Sequence, residues 1–167
     1  MSAVPSSLLI DTNVWLDLFV ASRMGHEDAK DLIAFALDTH VQLLYSPVSL
    51  KDVEFIAAAT FKREVRTQGE RIVKTRALIA RQFAWSCVQN MRRIATAVGM
   101  DDSDMWLAEK YYSIHPDFED DLLLAAAKRS SADYLVTRDE QLLTHATAPA
   151  ITPANLLVLM REFGASS

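Results

Sequence analysis

Short apolar runs alternate with longer segments of helical periodicity along this chain, and this alternation most constrains its fold. Segments 8–10, 41–47 and 134–137 are short and rich in apolar residues, as expected of strands buried within a sheet. The segments between them are long enough for crossover helices, and in 26–38 apolar residues recur at helical spacing. The pattern predicts an α/β domain in which helices cover both faces of a parallel sheet.

The remaining elements can be placed less sharply. Ser49 is the expected N-cap of the helix after the second strand, and a long basic helix is expected from about 66 to 93. Residues 94–98 fit either a third strand or the end of that helix. His115 and Pro116 interrupt a helix, so Asp117 is expected to cap the next one. No repeat or linker divides residues 1–167, which are predicted to form one domain.

Composition favours a cytoplasmic protein. The chain has 167 residues, half of them hydrophobic, but no apolar run reaches the roughly 18 residues of a membrane helix. The N-terminus lacks the basic and apolar regions of a secretory signal, which predicts no membrane partner. The one cysteine, Cys87, cannot form an internal disulfide and is expected to be a core thiol.

Two acids stand directly after predicted strands. Asp11 follows 8–10 and Asp139 follows 134–137, and ligands of parallel sheets bind outside the carboxyl ends of the strands. If the strands are neighbours, both carboxylates enter one crevice. Asp120, in the first turn of a later helix, is a third candidate, because Glu119, Asp120 and Asp121 exceed what a helix dipole needs. Asp11 could instead be a simple N-cap.

A fourth acid follows the second strand. Asp52 and Glu54 both lie near the start of the next helix, two positions apart, so they cannot both face the crevice. Clustered carboxylates repel one another unless a cation binds between them. Oxygen ligands without a histidine or cysteine cluster favour Mg²⁺ or Mn²⁺ over zinc. Such a centre suits phosphodiester hydrolysis, in which the metal activates a water molecule.

Positive charge is concentrated in one segment. Residues 62–93 hold nine Lys or Arg and two acids, whereas the rest of the chain holds eight bases and twenty acids. This basic helical segment could be an ordinary solvated surface, or it could hold a polyanion beside an acidic pocket. Under the second interpretation, its phosphate contacts would come from Lys62, Arg63, Arg66, Arg71, Lys74 and Arg76.

The motifs together resemble PIN-domain ribonucleases, especially VapC-type toxins of toxin–antitoxin pairs. The similar stretches are "LLIDTNVWLDLF", "YSPVSLKDVEFI", "DFEDDLLLAAAKRSSADYLVTRD" and "ITPANLL", and they span nearly the whole chain in the family's order. The resemblance implies a three-layer α/β/α fold with a central parallel sheet of about five strands. It also implies a Mg²⁺- or Mn²⁺-dependent endoribonuclease that forms a homodimer and is neutralised by a small antitoxin.

The resemblance also implies roles for individual residues. The metal ligands would be Asp11, Asp120 and Asp139. The second acid of the family, usually a glutamate, falls on Asp52, with Glu54 as the alternative. The family's small polar residue and its hydroxyl residue, which complete the catalytic set, fall on Asn13 and Thr137.

Three other functions remain open at this point. A protein that keeps the fold could bind RNA or protein without hydrolysis, because fold does not guarantee activity. A metal-dependent phosphatase would need an Asp two residues after Asp11, where this chain has Asn13. A structure-specific DNA nuclease would use the same acids and is harder to separate from a ribonuclease.

Overall fold

The computed structural model describes residues 4–112 and 117–164. It contains a five-stranded, fully parallel sheet between helices, which confirms the predicted three-layer α/β/α fold. The strands are β1 (Ser7–Ile10), β2 (Gln42–Tyr45), β3 (Thr96–Ala97), β4 (Tyr134–Val136) and β5 (Ala150–Ile151). The helices are α1 (Thr12–Phe19), α2 (His26–Asp38), α3 (Pro47–Thr67), α4 (Lys74–Ile94), α5 (Asp102–Tyr112), α6 (Phe118–Ser130), α7 (Glu140–His145) and α8 (Pro153–Gly164).

The strand order is β3-β2-β1-β4-β5, so the chain changes direction across the sheet at β1. It adds β2 and β3 on one side of β1 and then returns to place β4 on the other side. Leu9 of β1 pairs in register with Leu135 of β4. The crevice between these strand ends is the position where open parallel sheets bind ligands.

The core occupies both faces of the sheet. Leu8 and Ile10 face one side, where they join buried residues of α1 to α4 and α8. Leu9 faces the other side and packs against Leu123, Leu124 and other residues of α6. Because successive strand residues point to opposite faces, all three β1 residues are fully buried, as the apolar run predicts. No helix among the described residues is both long and apolar enough to cross a bilayer.

Two helix boundaries differ from the sequence-based prediction. Ser49 is not an N-cap, because α3 begins at Pro47 after Ser46, and proline suits a first helical position. The expected helix over 66–93 is divided between α3 and α4, and Gly69 in the connection has a φ of 78° that glycine adopts without strain. Residues 94–98 supply β3, and the break predicted at His115 and Pro116 lies outside the described residues.

Candidate active site

Asp11 lies at the end of β1, next to the end of β4. Its backbone N–H donates to the carbonyl of Val136, which holds the two chain ends together. Its side chain is only 7 % exposed. Thr137 Oγ1 and Asn13 Nδ2 both donate to Asp11 Oδ2, each at 2.6 Å. The predicted meeting of the β1 and β4 ends therefore occurs, and Asn13 and Thr137 both contact the first aspartate.

Burial raises the pKa of Asp11 from 3.8 to about 6. The hydrogen bond from Thr137 opposes this rise, as do the backbone N–H groups of Thr12 and Asn13, whereas the negative charge of Asp139 adds to it. None of these influences comes from a cation. Among the described residues, the donors that hold an ionised Asp11 are therefore neutral, and a positive charge would be stabilised beside it.

Asp139 lies in the loop that begins with Thr137 and caps α7. Its Oδ1 accepts from Gln141 N at 2.7 Å and Leu142 N at 3.2 Å. Its own backbone N–H donates to Thr137 Oγ1 at 2.9 Å, so one hydroxyl group links Asp139 to Asp11. Asp139 is therefore both a helix cap and a source of negative potential at the crevice.

The first turn of α6 brings further acids to the crevice. Asp117 is the N-cap, as predicted, and its Oδ1 accepts from Glu119 N at 3.0 Å and Asp120 N at 3.3 Å. Glu119 and Asp120 then line the same small cavity as Asp11. The cavity holds about 10 Å³, close to the space that one water molecule needs. Its remaining walls are Thr12, Ser46, Val48, Ser49 and Leu123.

Glu119 was not among the residues predicted for the site, although it lines the cavity beside Asp11. The pKa of Glu119 is raised first by burial and then by the negative charges of Asp52, Asp11 and Asp117. Asp52 is thus the nearest acidic neighbour that acts on the Glu119 carboxyl group. The sequence signal was the acidic run after Asp117, but periodicity alone does not decide which of these acids lines the cavity.

Asp52 and Glu54 lie on different sides of α3 and have different neighbours. Asp52 meets Glu119, and its Oδ2 is buried and accepts no hydrogen bond from a described residue. Exposed Lys51 approaches the other oxygen at 3.4 Å. Glu54 instead lines a groove between α3 and α4. Of the two alternatives, Asp52 is the acid that reaches the crevice.

The acids fit a cation by their chemistry, although they are not yet gathered around one point. Among residues 4–112 and 117–164, no three His, Cys, Asp or Glu side chains are placed to ligate one ion. Two buried polar atoms near the cavity, Ser46 Oγ and Asp52 Oδ2, have no hydrogen-bond partner among these described residues. Unsatisfied oxygens and mutually repelling carboxylates are the features that a bound Mg²⁺ or Mn²⁺ would relieve.

A second buried acid, Asp17, connects α1 to the loop at the end of β4. Asp17 is fully buried on α1, one turn after Asn13. Its carboxylate accepts from Arg23 Nε at 2.6 Å and from the Arg138 guanidinium, whose NH2 group lies at 2.8 Å. Arg138 N also donates to Asn13 Oδ1 at 3.3 Å. Two contacts therefore tie the loop that carries Thr137 and Asp139 to α1.

Comparison with known proteins agrees with this geometry. No curated protein sequence matches the chain. Among solved structures, VapBC2 from Rickettsia felis, bound to a DNA fragment from its promoter, is similar with a TM-score of 0.59 and 10 % identity. The match covers 87 % of this chain and 98 % of that one, and it shows the same fold.

The family assignment comes from the sequence profile. The profile of the PIN domain matches residues 7–141, which include every acid of the crevice. Proteins of this family are typically nucleases, and they generally use divalent metal ions. With the parallel sheet and the acids at its switch point, this match identifies the chain as a member of the PIN domain family.

Proposed function

We propose that this protein is a Mg²⁺- or Mn²⁺-dependent endoribonuclease that acts as the toxin of a type II toxin–antitoxin pair. The observation that carries the proposal is Asp11, a buried carboxylate at the switch point whose pKa is raised and which pairs with no cation among the described residues. An isolated buried charge is costly unless a counter-charge compensates it. A divalent ion would supply that charge.

Asp11, Glu119 and Asp120 would hold the ion, since all three line the same cavity. Asp139 adds negative potential, and Asn13 and Thr137 orient Asp11 through their hydrogen bonds to Oδ2. Asp52 Oδ2 has no donor among the described residues and would accept a proton from the attacking water. When bound, the metal would polarise the scissile phosphate and stabilise the leaving oxygen.

The partner assignment follows from the resemblance and from the fold shared with VapBC2. A small antitoxin would cover the crevice, and a basic side chain inserted among Asp11, Glu119 and Asp120 would replace the metal charge. We further expect the protein to act in the cytoplasm as a homodimer.

The direct test is cleavage of total cellular RNA by purified protein in Mn²⁺, with Asp11→Asn as the matched variant. We expect the variant to lose at least about 100-fold in rate, because even residues that only orient a metal ligand are worth 10–100-fold. Equal cleavage by both proteins would refute the proposal. Binding of RNA without cleavage in either metal would instead support an inactive binding module.

A further inference from the structure

A groove runs between α3 and α4 outside the crevice. It consists of two adjoining cavities of about 470 and 420 Å³ that share Glu54 and Arg81. Alanines at 58, 59 and 77 line it, and aromatic side chains stand beside them. Phe55 is 69 % exposed and Trp85 is 53 % exposed, although both are large apolar residues. Exposed aromatic rings beside small residues offer flat faces to a ligand.

One face of α3 runs from the crevice to the groove. On α3, Asp52, Phe55, Ala59, Lys62 and Arg66 follow one another at intervals of three or four residues, so they share a face. Asp52 reaches the crevice, and the other four line the groove. At a rise of 1.5 Å per residue the stripe is about 21 Å long. This is the length of about six stacked nucleotides spaced 3.4 Å apart.

The basic side chains that line the groove are available to bind phosphates. Lys62, Arg66 and Arg81 form no ion pair within residues 4–112 and 117–164. Other cations of the chain are paired, such as Arg76 with Glu70 and Arg129 with Asp101. Of the six basic residues first assigned to RNA, only Lys62 and Arg66 line the groove, and Arg81 joins them from α4.

We infer that the α3–α4 groove is a single-stranded RNA site that leads the strand into the crevice. Phe55 and Trp85 stack on bases, while Lys62, Arg66 and Arg81 contact phosphates. Alternating aromatic and basic side chains form the usual platform for a single strand. A protein helix is the poorer occupant, because protein interfaces are depleted of lysine and glutamate, whereas Lys62 and Glu54 both line the groove. The inference rests on the proposed function only in that RNA is the substrate.

Binding is measured by fluorescence anisotropy with a labelled single-stranded RNA of about 12 nucleotides, a length within the range of known sites, in EDTA so that cleavage cannot occur. Trp85→Ala and Arg81→Gln are expected to weaken binding at least about fivefold. Trp106→Ala and Arg92→Gln are matched controls, since Trp106 is equally exposed on α5 and Arg92 is exposed on α4 but does not line the groove. Glu54→Gln removes the one acid that lines the groove within residues 4–112 and 117–164, and it is expected to strengthen binding.

Salt dependence separates the two kinds of contact. Arg81→Gln is expected to reduce the slope of log Kd against log salt by about 0.7, whereas Trp85→Ala leaves it unchanged. The inference is overturned if Arg92→Gln weakens binding as much as Arg81→Gln, or if Trp85→Ala has no effect. It is also overturned if an acidic helical peptide binds the groove more tightly than RNA does.

Cleavage distinguishes failure of the groove from failure of the proposed function. In Mn²⁺, groove variants are expected to raise KM with kcat unchanged, because they remove binding away from the reacting phosphate. Active protein whose groove variants keep the wild-type Kd and KM would refute the groove alone. Inactive protein that binds RNA through Arg81 and Trp85 would refute the proposed ribonuclease and retain the groove.

Discussion

Asp11 and Asp17 are both buried acids of the same segment, and their surroundings are opposite. Asp17 is fully buried between Arg23 and Arg138, so two positive charges compensate it. Asp11 is 7 % exposed, and the described residues that donate hydrogen bonds to it do so through neutral groups, namely the Thr137 and Asn13 side chains and the backbone of Thr12 and Asn13. A buried charge is tolerated where its partner is built into the fold. The difference indicates that Asp17 stabilises the structure, whereas Asp11 is kept ready for a cation that arrives from outside.

The comparison predicts opposite effects on stability. At pH 7.5 Asp17→Asn should lower the free energy of unfolding by about 2–3 kcal/mol, because it leaves two arginines without their partner. The value is below the usual range for buried pairs because both guanidinium groups partly reach solvent. Asp11→Asn should raise stability by about 2–3 kcal/mol, since the difference between 3.8 and about 6 corresponds to about 3 kcal/mol.

Urea denaturation in EDTA measures both changes, and exposed Asp31→Asn is the control expected within about 0.5 kcal/mol of wild type. The sign for Asp11 follows from its folded pKa, which lies above the unfolded one. Folding is therefore penalised progressively as pH rises from about 4 to about 6. The gain from Asp11→Asn should disappear at pH 4. Destabilisation by both variants at pH 7.5 would show that Asp11 is structural as well.

A third substitution tests how closely Asp17, Arg23 and Arg138 pack against Gly25. A Cβ atom on Gly25 would lie 2.6 Å from Arg138 Nε and in contact with the Asp17 carboxylate. Gly25→Ala should therefore destabilise the protein by about 1–3 kcal/mol, the usual effect of overpacking. Because Arg138 lies between Thr137 and Asp139, activity should fall as well. Thermal unfolding checks the first effect, and an unchanged Tm would mean that the Asp17 and Arg138 side chains can move to accommodate the added methyl group.

The smallest effect concerns the neutral donors around Asp11. Thr137→Val removes the hydroxyl group that donates to Asp11 Oδ2. A hydrogen bond to a charged group is worth about 1.5–3 kcal/mol, so the pKa of Asp11 should rise by at least about one unit. The pH at which cleavage reaches half its maximum should shift upward accordingly. A uniform loss of rate at every pH would show instead that Thr137 acts on the substrate.

The fold was predictable because short apolar strands and periodic helices encode it locally. Leu8–Ile10 is buried on both sides, as its composition indicated, and Asp117 caps α6 as predicted. The start of α3 was placed too late because Ser49 has the side chain of a typical cap, whereas Pro47 occupies the first helical position after Ser46. The break between α3 and α4 had a signal in Gly69, which helical periodicity outweighed.

The site was predictable in part, for a physical reason. Asp11 and Asp139 converge because strand ends of a parallel sheet share an edge. The pairing of Asp17 with Arg138 joins residues 121 positions apart, and no local pattern encodes it. Glu119 depends on how α6 is rotated against the sheet. Such rotations and long-range pairings are fixed by packing rather than by periodicity.

One measurement tests directly whether Asp11 is reserved for a cation: the change in Tm on adding Mn²⁺, at pH 5 and pH 7.5, for wild type and Asp11→Asn. A ligand that binds only the folded state raises its stability, and metal ligands must be deprotonated to bind. We expect Mn²⁺ to raise the Tm of wild type at pH 7.5, much less at pH 5, and that of Asp11→Asn at neither pH. Equal shifts in both proteins, or none in wild type at pH 7.5, would contradict the account.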